Sequence, residues 1–247
     1  KSLYTPLFFR HYAGIICMNI LKLQGTVKKV LVLDCDNTLW KGVLGEDGSN
    51  GIDMASTSPT GSIFNDVQQI FKGLKKKGVI ICLCTKNNYE DIVSLFETHP
   101  DLIIKRKDLV YIAANWEPKP KNLLKMSKTL NLGLDSFVFI DDSDFEIGLM
   151  REKLPEVVSL KVPRQLTRYP FFALNLSSIF NNKKQSLEDA NRTEMYQAQI
   201  LREEQLKKSN TFESYLKSLK MKLYFFFDSE KYLSRLAQMT QKTNQFN

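Results

Sequence analysis

The sequence contains few of the two residue types that most often bind zinc in proteins. It has two histidines and four cysteines among 247 residues. The histidines, His11 and His99, lie far apart, so no standard zinc-ligand spacing is present. Cys35, Cys82 and Cys84 lie within apolar runs, which argues against a disulfide framework and predicts a protein of the reducing cytoplasm.

The sequence also lacks an apolar run of the roughly 20 residues that a membrane-spanning helix requires. Residues 12–23 are largely apolar, but Asn19 and Lys22 interrupt them. We therefore predict an amphipathic helix that ends at Gly25 and forms an N-terminal arm over residues 1–26, in preference to a signal peptide. No membrane partner is expected.

The sequence has fewer acidic than basic residues. It contains 27 Asp and Glu residues and 35 Lys and Arg residues, which gives a net charge of +8. The basic residues form short, scattered clusters, which is typical of solvated helix faces. The same clusters would also attract an anionic ligand or an acidic partner protein. Neither a nucleic-acid-binding motif nor an interleaving of aromatic and basic residues is present, so nucleic acid is not expected as a partner.

Apolar runs typical of buried strands alternate with segments of helical spacing over residues 27–165. The strand-like runs lie at residues 30–33, 79–84, 102–104, 110–114, 137–140 and 157–160. This alternation predicts an α/β fold in three layers, a parallel sheet with helices on both faces. Residues 166–247 form a C-terminal, mainly helical extension or the start of a further domain. Its expected elements are helices at 188–208, 212–219 and 232–241 and a strand at 222–227.

Polar residues end three of these strands. They are Asp34 and Asp36, Thr85 and Asn87, and Asp141 and Asp142. Right-handed crossovers bring the carboxyl ends of parallel strands to one edge of the sheet, where α/β proteins bind their ligands. A pair of aspartates at the end of a buried strand is costly unless something binds there. The sequence therefore predicts a divalent cation and phosphoryl or acyl chemistry at this edge.

Four glycines, Gly42, Gly45, Gly48 and Gly51, follow the first strand. Their spacing around short apolar steps predicts a hairpin or flap. The segment is too short for a large cap domain, so we expect a pocket that is open to a macromolecular arm such as phosphopantetheine.

The residues at the strand ends resemble the four motifs of the haloacid dehalogenase (HAD) superfamily. In chain order, the motifs are Asp34-Cys35-Asp36-Asn37-Thr38, Thr85, Lys119 and Asp141-Asp142. A narrower resemblance is to the FkbH-like subfamily and extends over nearly the whole chain past residue 25. It is carried by residues 34–40, 42–48, 85–88, 99–101, 115–119, 139–142, 192–196 and 240–247.

The resemblance implies a Rossmann-like HAD core at residues 27–165 with a minimal (C0-type) cap. It also implies a glyceryl transferase and phosphatase that removes phosphate from 1,3-bisphosphoglycerate. The glyceryl group would be loaded onto an acyl carrier protein in polyketide biosynthesis. Ser143 and Asp144 depart from the Asn-Pro expected at these positions in the subfamily.

In this scheme Asp34 is the phosphoryl acceptor and Asp36 is the general acid and base. A carboxylate attacks phosphorus only if the negative charge on both groups is neutralised, and Mg²⁺ is the cofactor implied. Asp34 and Asp141 are its expected ligands, with Asp36 through its backbone carbonyl and Asp142 as further ligands.

Other residues are expected to bind the phosphate or the rest of the substrate. Lys119 would supply a fixed positive charge at the nucleophile, and it is favoured over Lys121 because it follows Trp-Glu-Pro. The remaining candidates are Thr85, Lys86, Asn87, His99 and Trp40. Each of these assignments has an alternative. Lys119 and Lys121 could each be a solvated residue at a helix start. His99 could have a loop or capping role, and Trp40 could belong to the core.

Cys35 lies between the two aspartates, where many HAD phosphatases have an ordinary apolar residue. A thiolate there would attack an acyl phosphate at carbon and give a glyceryl thioester for the carrier's thiol. Strict strand alternation, however, turns Cys35 away from the face of Asp34 and Asp36. A buried structural cysteine in a plain small-molecule phosphatase is the alternative. A non-catalytic module that docks an acidic carrier protein is a further alternative.

Overall fold

The computed structural model describes residues 28–176, 179–180 and 192–208, together with residues 5, 8, 9, 12, 13, 16, 222, 224, 225 and 233. The chain divides into two compact units, Lys1–Leu201 and Arg202–Asn247. The sheet and the candidate site belong to the first unit. In the second unit, the described residues are chiefly the end of a helix at 202–208.

Parallel strands form the sheet of the first unit. They are β1 (Val30–Leu33), β2 (Ile80–Thr85), β3 (Leu109–Ala114), β4 (Phe137–Asp141) and β5 (Val158–Lys161). Their order across the sheet is β3-β2-β1-β4-β5, and each neighbouring pair is parallel. The predicted parallel α/β sheet is confirmed, and β1 lies at its centre with its carboxyl end between those of β2 and β4.

Helices cover both faces of the sheet. In the described residues the α-helices are α1 (Leu44–Gly51), α2 (Gly61–Lys76), α3 (Tyr89–Thr98), α4 (Lys119–Leu130), α5 (Asp144–Lys153), α6 (Tyr169–Leu176) and α7 (Arg192–Lys208). Leu31 and Leu33 of β1 pack in one core with α2, α3 and α6, whereas Val30 and Val32 pack in a second core with α4 and α5. Alternate side chains of a strand point to opposite faces, so burial on both faces explains why β1 is a continuous apolar run.

The helix α2 has its apolar residues at helical spacing. Phe64, Val67, Phe71 and Leu74 are all buried against the sheet side of the molecule. The chain leaves the helix through Gly78, whose φ of 84° lies in the left-handed region that glycine adopts without steric cost. This glycine therefore lets the chain turn from the end of α2 into β2.

The glycine-rich segment after β1 forms a closed loop. Lys41 and Asp53 form an antiparallel bridge, with backbone N–H···O distances of 2.9 and 2.8 Å. The short helix α1 lies between them and is kinked at Gly48, which has a φ of 69°. The segment after β1 is therefore a flap that contains a short helix, and not a hairpin.

The packed core continues past residue 165. Tyr169, Ala173 and Leu176 of α6, together with Phe180, are buried in the same cluster as Leu31. The division of the chain at residues 165 and 166 stays a prediction. Because these residues are buried with β1, the start of the predicted extension at residues 166–247 belongs to the core of the first unit.

The prediction of a short strand at residues 102–104 is wrong. Leu102 and Ile104 are buried, but this segment is a loop. The backbone N–H groups of Ile103 and Ile104 donate to Gln68 Oε1 at 2.9 and 3.2 Å, so a side chain takes the place of a neighbouring strand.

The helix expected at residues 188–208 is found as α7, from Arg192 to Lys208. Most of the helix predicted at 12–23 lies outside the described residues, as do nearly all of the elements predicted at 212–219, 222–227 and 232–241. Among the helices in the described part of the chain, none combines the length and the apolar character needed to cross a membrane.

Replacing Gln68 with alanine is expected to lower the free energy of unfolding by about 2–4 kcal/mol. Gln68 Nε2 donates to the Leu39 carbonyl at 2.7 Å and its Oε1 accepts from Ile103, so the variant leaves buried backbone groups without partners. Equilibrium unfolding in urea measures the change. Gln69→Ala is the control, because Gln69 is exposed and bonds to Asn65 on its own helix. Equal losses in both variants would contradict this account.

Candidate active site

The carboxyl ends of β1, β2 and β4 bring the predicted site residues together. Leu33 of β1 is aligned with Leu83 of β2 and with Ile140 of β4. The next residue, Asp34, donates its backbone N–H to Ile140 O at 3.0 Å. Asp34 is therefore level with Asp141, the last residue of β4.

Lys119 connects the two carboxylates. Its Nζ lies 2.7 Å from Asp34 Oδ1 and 2.6 Å from Asp141 Oδ2, and all three side chains are buried. Lys119 is the first residue of α4, directly after the extended Pro118. Lys121, its rival in the sequence, is at the surface, where its Nζ lies 2.8 Å from Glu117 Oε1. The fold thus brings Lys119, and not Lys121, to Asp34.

The site has more carboxyl groups than cationic groups. Burial raises the pKa of Asp34 to about 7; the Lys119 ammonium lowers this pKa and the charge of Asp141 raises it. Burial lowers the pKa of Lys119, but the two carboxylates outweigh burial and hold that pKa above its ordinary value. Burial and Asp141 also raise the pKa of Asp142. One ammonium faces three carboxyl groups, which favours the binding of a further cation.

Asp34, Asp141 and Asp142 form a group that fits a divalent cation. Each offers one carboxylate oxygen, and these oxygens lie within 4.8 Å of one another. Hard divalent cations prefer oxygen ligands of this kind. It is the one such group found among the residues that the structure describes.

The carboxylate of Asp36 lies outside this group and is fixed by three donors. Its Oδ1 accepts from Trp40 Nε1 at 3.0 Å and from the Leu44 backbone N–H at 2.9 Å. Its Oδ2 accepts from Asn87 Nδ2 at 2.9 Å. These bonds give the side chain one orientation. Metal binding through the Asp36 backbone carbonyl stays a prediction.

Cys35 belongs to the core and not to the face of the two aspartates. Its side chain is fully buried in the same cluster as Leu31 and Leu33, as strand alternation requires. Burial raises the pKa of the Cys35 thiol well above its ordinary value, and the charges of Asp34 and Asp36 raise it further. Nucleophilic attack requires the thiolate. The geometry therefore favours a structural cysteine over the predicted nucleophile.

Thr85 and Asn87 lie beside Asp36, whereas Lys86 has a separate partner. Thr85 Oγ1 accepts from Asn87 Nδ2 at 2.9 Å, and both side chains are buried. The Nζ of Lys86 lies 2.5 Å from Glu146 Oε1 at the start of α5. Phosphate binding by Thr85 and Asn87 stays a prediction, while the ammonium of Lys86 is already paired with a carboxylate.

His99 and Trp40 are the two other residues predicted to bind substrate. His99 follows α3, which begins at the carboxyl edge of the sheet and ends at the opposite edge, where Lys105 Nζ donates to His99 O at 2.9 Å. Trp40 is fully buried, and its ring lies 6.2 Å from that of Phe96. Substrate binding by these two residues stays a prediction: His99 lies in the loop after α3, and Trp40 is a core residue whose Nε1 donates to Asp36.

Tyr169 contacts the first motif, although no sequence motif points to it. Its hydroxyl donates to the backbone carbonyl of Thr38 at 3.1 Å, and its ring packs edge-on against Phe64 and Phe71. Burial, with the charge of Asp34 adding to it, raises the pKa of Tyr169 well above its ordinary value. The apolar residues around Tyr169 predict that its ring is buried. No sequence rule predicts its contact with Thr38, which lies 131 residues earlier in the chain.

No family model matches this chain, and no curated protein sequence matches it significantly. Among solved structures, the chain is similar to the N-terminal part of a Bacteroides fragilis protein, which contains a phosphatase domain and is complexed with Mg. The two are 40% identical, with a TM-score of 0.60. The match covers 64% of this chain and 42% of the other, so this chain spans less than half of that structure.

Two further solved structures are less similar. One is 3-deoxy-D-manno-octulosonate 8-phosphate phosphatase from Moraxella catarrhalis in complex with magnesium, phosphate and KDO; it is 18% identical over 82% of this chain and 99% of its own, with a TM-score of 0.38. The other, from Legionella pneumophila, is described as a subfamily III A hydrolase of the HAD superfamily; it is 19% identical over 77% and 98%, with a TM-score of 0.40. The solved structures that this chain resembles are thus described as a phosphatase domain, a phosphatase and a hydrolase.

The raised pKa of Asp34 predicts that the metal-free protein loses stability as the pH rises. The folded state keeps a proton on Asp34 up to about pH 7, whereas the unfolded chain releases it near its ordinary pKa of 3.8. The free energy of unfolding therefore falls between these pH values, by at most about 1.4 kcal/mol per pH unit, and levels off above them. Asp34→Asn is expected to lack this fall. Urea unfolding in EDTA across the range measures both proteins.

Asp66→Asn is the matched control for this experiment, because Asp66 is an exposed aspartate on α2. Its stability should follow the same pH dependence as that of the wild type. Parallel curves for the wild type and Asp34→Asn would show that Asp34 does not titrate in this range.

Proposed function

We propose that this chain is a Mg²⁺-dependent phosphatase of the HAD superfamily that acts on small phosphate esters. The observation that carries the proposal is the buried pair Asp34 and Asp141, which share Lys119 and have Asp142 within reach. The similarity to the Bacteroides fragilis structure, with its phosphatase domain and its Mg, supports the proposal. The free, buried thiols of Cys35, Cys82 and Cys84 support a location in the reducing cytoplasm, the location we propose.

The cation would be held by Asp34, Asp141 and Asp142, whose oxygens converge. A Mg²⁺ ion bound there would offset part of the negative charge on the nucleophile and on the phosphate. Lys119 contributes a second positive charge. Because two carboxylates already fix its ammonium, this charge is in position without reorganisation.

We assign Asp34 the role of nucleophile and Asp36 that of proton carrier. An oxygen of Asp34 forms a bond to phosphorus, and the bond from phosphorus to the ester oxygen breaks. Protonated Asp36 gives its proton to that oxygen, which leaves as the alcohol. Water then attacks the phosphorus of the aspartyl phosphate and passes a proton to Asp36. The bond from phosphorus to the Asp34 oxygen breaks, which releases inorganic phosphate and restores the Asp34 carboxylate. The three hydrogen bonds to Asp36 keep its carboxylate in one orientation for both transfers.

A finer proposal is that 1,3-bisphosphoglycerate is the substrate and that an acyl carrier protein of polyketide biosynthesis accepts the glyceryl group. The FkbH-like resemblance of the sequence and the short flap over the site support it. Formation of a thioester on Cys35 is its weakest step, because that thiol is buried and its pKa is raised. We therefore propose phosphate removal as the principal activity and glyceryl transfer as the second candidate.

Phosphate release from small esters is expected to require Mg²⁺ and Asp34. Asp34→Asn removes the nucleophile and should lower kcat by about 10³-fold or more. Lys119→Met should lower kcat by about 10²-fold, since it removes the charge at the reacting phosphate. Lys121→Met is the matched control, because Lys121 pairs with Glu117 at the surface. A phosphate-release assay measures all four proteins, and equal losses in the two lysine variants would contradict the role of Lys119.

Intact-mass analysis after incubation with 1,3-bisphosphoglycerate distinguishes the two candidate activities. We expect a phosphoryl adduct that Asp34→Asn lacks and that Cys35→Ser retains, because Cys35 is a core residue. A glyceryl adduct that forms on the wild type and is lost in Cys35→Ser would instead establish the thioester and make transfer the principal activity.

A further inference from the structure

A cleft of about 290 Å³ adjoins the carboxylate group. Asn37 of the first motif and Asp142 are among its lining residues, so the cleft is continuous with the proposed metal site. Its volume is at the lower end of the range for ligand pockets. It therefore suits a substrate with few atoms beyond the reacting phosphate.

Basic side chains dominate the charge of this cleft. Among the described residues that line it, the basic ones are Lys41, Lys161 and Arg164. The acidic one is Asp142, which the metal would neutralise. Phe64 and Leu166 provide apolar wall, and surroundings of low polarity strengthen the attraction between opposite charges.

The backbone places two of these basic residues beside the site. Lys161 of β5 is aligned with Asp141 of β4, and the Val162 N–H donates to Asp141 O at 2.9 Å. Lys41 is anchored by its bridge to Asp53. Two segments that are distant in the sequence thus bring positive charge to one cleft beside Asp141.

The present partner of two of these cations can be exchanged for a ligand. Asp144 is paired with Lys161 and lies 3.8 Å from Arg164. The side chains of Asp144 and Arg164 are 71% and 89% exposed. The Lys161 side chain is 27% exposed, but Asp144 itself is largely in solvent. Water therefore screens both ion pairs of Asp144, and an anion that binds both cations competes with it at small cost.

We propose that this cleft is a subsite for a second anionic group of the substrate. Lys161, Arg164 and Lys41 bind a carboxylate or phosphate of the molecule whose reacting phosphate lies at Asp34. The inference rests on the proposed phosphatase activity and narrows its substrates to compact phosphate esters that carry a second anion.

Two pairs of esters test the subsite. 3-Phosphoglycerate and glycerol 3-phosphate differ by a carboxylate, and 1,3-propanediol bisphosphate and 3-hydroxypropyl phosphate differ by a second phosphate. The wild type is expected to prefer the member with the second anion by about tenfold or more in kcat/KM in at least one pair. The pair that shows the larger preference identifies whether the anion is a carboxylate or a phosphate.

Variants with opposite effects on the charge of the cleft sharpen this test. Arg164→Gln and Lys161→Gln should each reduce the preference by about fivefold, chiefly through KM. Asp144→Asn should increase it, because the two cations lose their competing partner. Lys128→Gln is the matched control for the loss of one positive charge, since Lys128 is exposed near the end of α4 that lies farthest from Lys119.

Equal kcat/KM values for both members of each pair would overturn the subsite and leave the phosphatase activity standing. A preference that survives Arg164→Gln combined with Lys161→Gln, or that falls as much in Lys128→Gln, would also overturn it. Failure to hydrolyse any of the four esters with Mg²⁺ would overturn the proposed function itself, and the subsite with it.

Discussion

Two buried carboxylates share one lysine, and the rest of the site depends on that arrangement. An unpaired buried charge is strongly destabilising, so the fold must bring Lys119 to both Asp34 and Asp141. The parallel register of β1 with β4 sets the two aspartates side by side, and the start of α4 after Pro118 supplies the ammonium. The pairing still leaves three carboxyl groups facing one ammonium. A divalent cation would balance these carboxyl groups and would reduce their repulsion of the phosphate in the proposed reaction.

The parts of the site that the sequence predicted are those that local rules determine. A buried apolar strand that ends in aspartates predicts where the carboxylates lie, because parallel strands share one carboxyl edge. Strand alternation also argued that Cys35 faces away from Asp34, and the burial of Cys35 in the cluster of Leu31 agrees with it. The choice of Lys119 over Lys121 rested on the residues before it. Each of these inferences concerns neighbours in the chain or in the sheet.

The parts that the sequence did not predict depend on where longer elements end. His99 is in a stretch that resembles a known family, but the ten residues of α3 carry it about 15 Å along the helix axis, to the far edge of the sheet. Trp40 is next to the first motif, yet its ring is buried in the core and only its Nε1 serves the site. Tyr169 reaches Thr38 from a helix that follows the last strand. Nothing in the local pattern of residues specifies these three positions.

The hydrogen bond from Tyr169 to Thr38 bears on how the protein is made. A ribosome adds about 5–20 residues per second, starting at the N-terminus. Asp34, Lys119 and Asp141 therefore all exist before Tyr169, and the delay after Asp141 is roughly 1–6 s. During that interval the nascent chain has its strand-end residues but lacks the aromatic side chain that covers Phe64 and fixes the Thr38 carbonyl. The packing beside the first strand is therefore completed only after every strand-end residue of the site has been made.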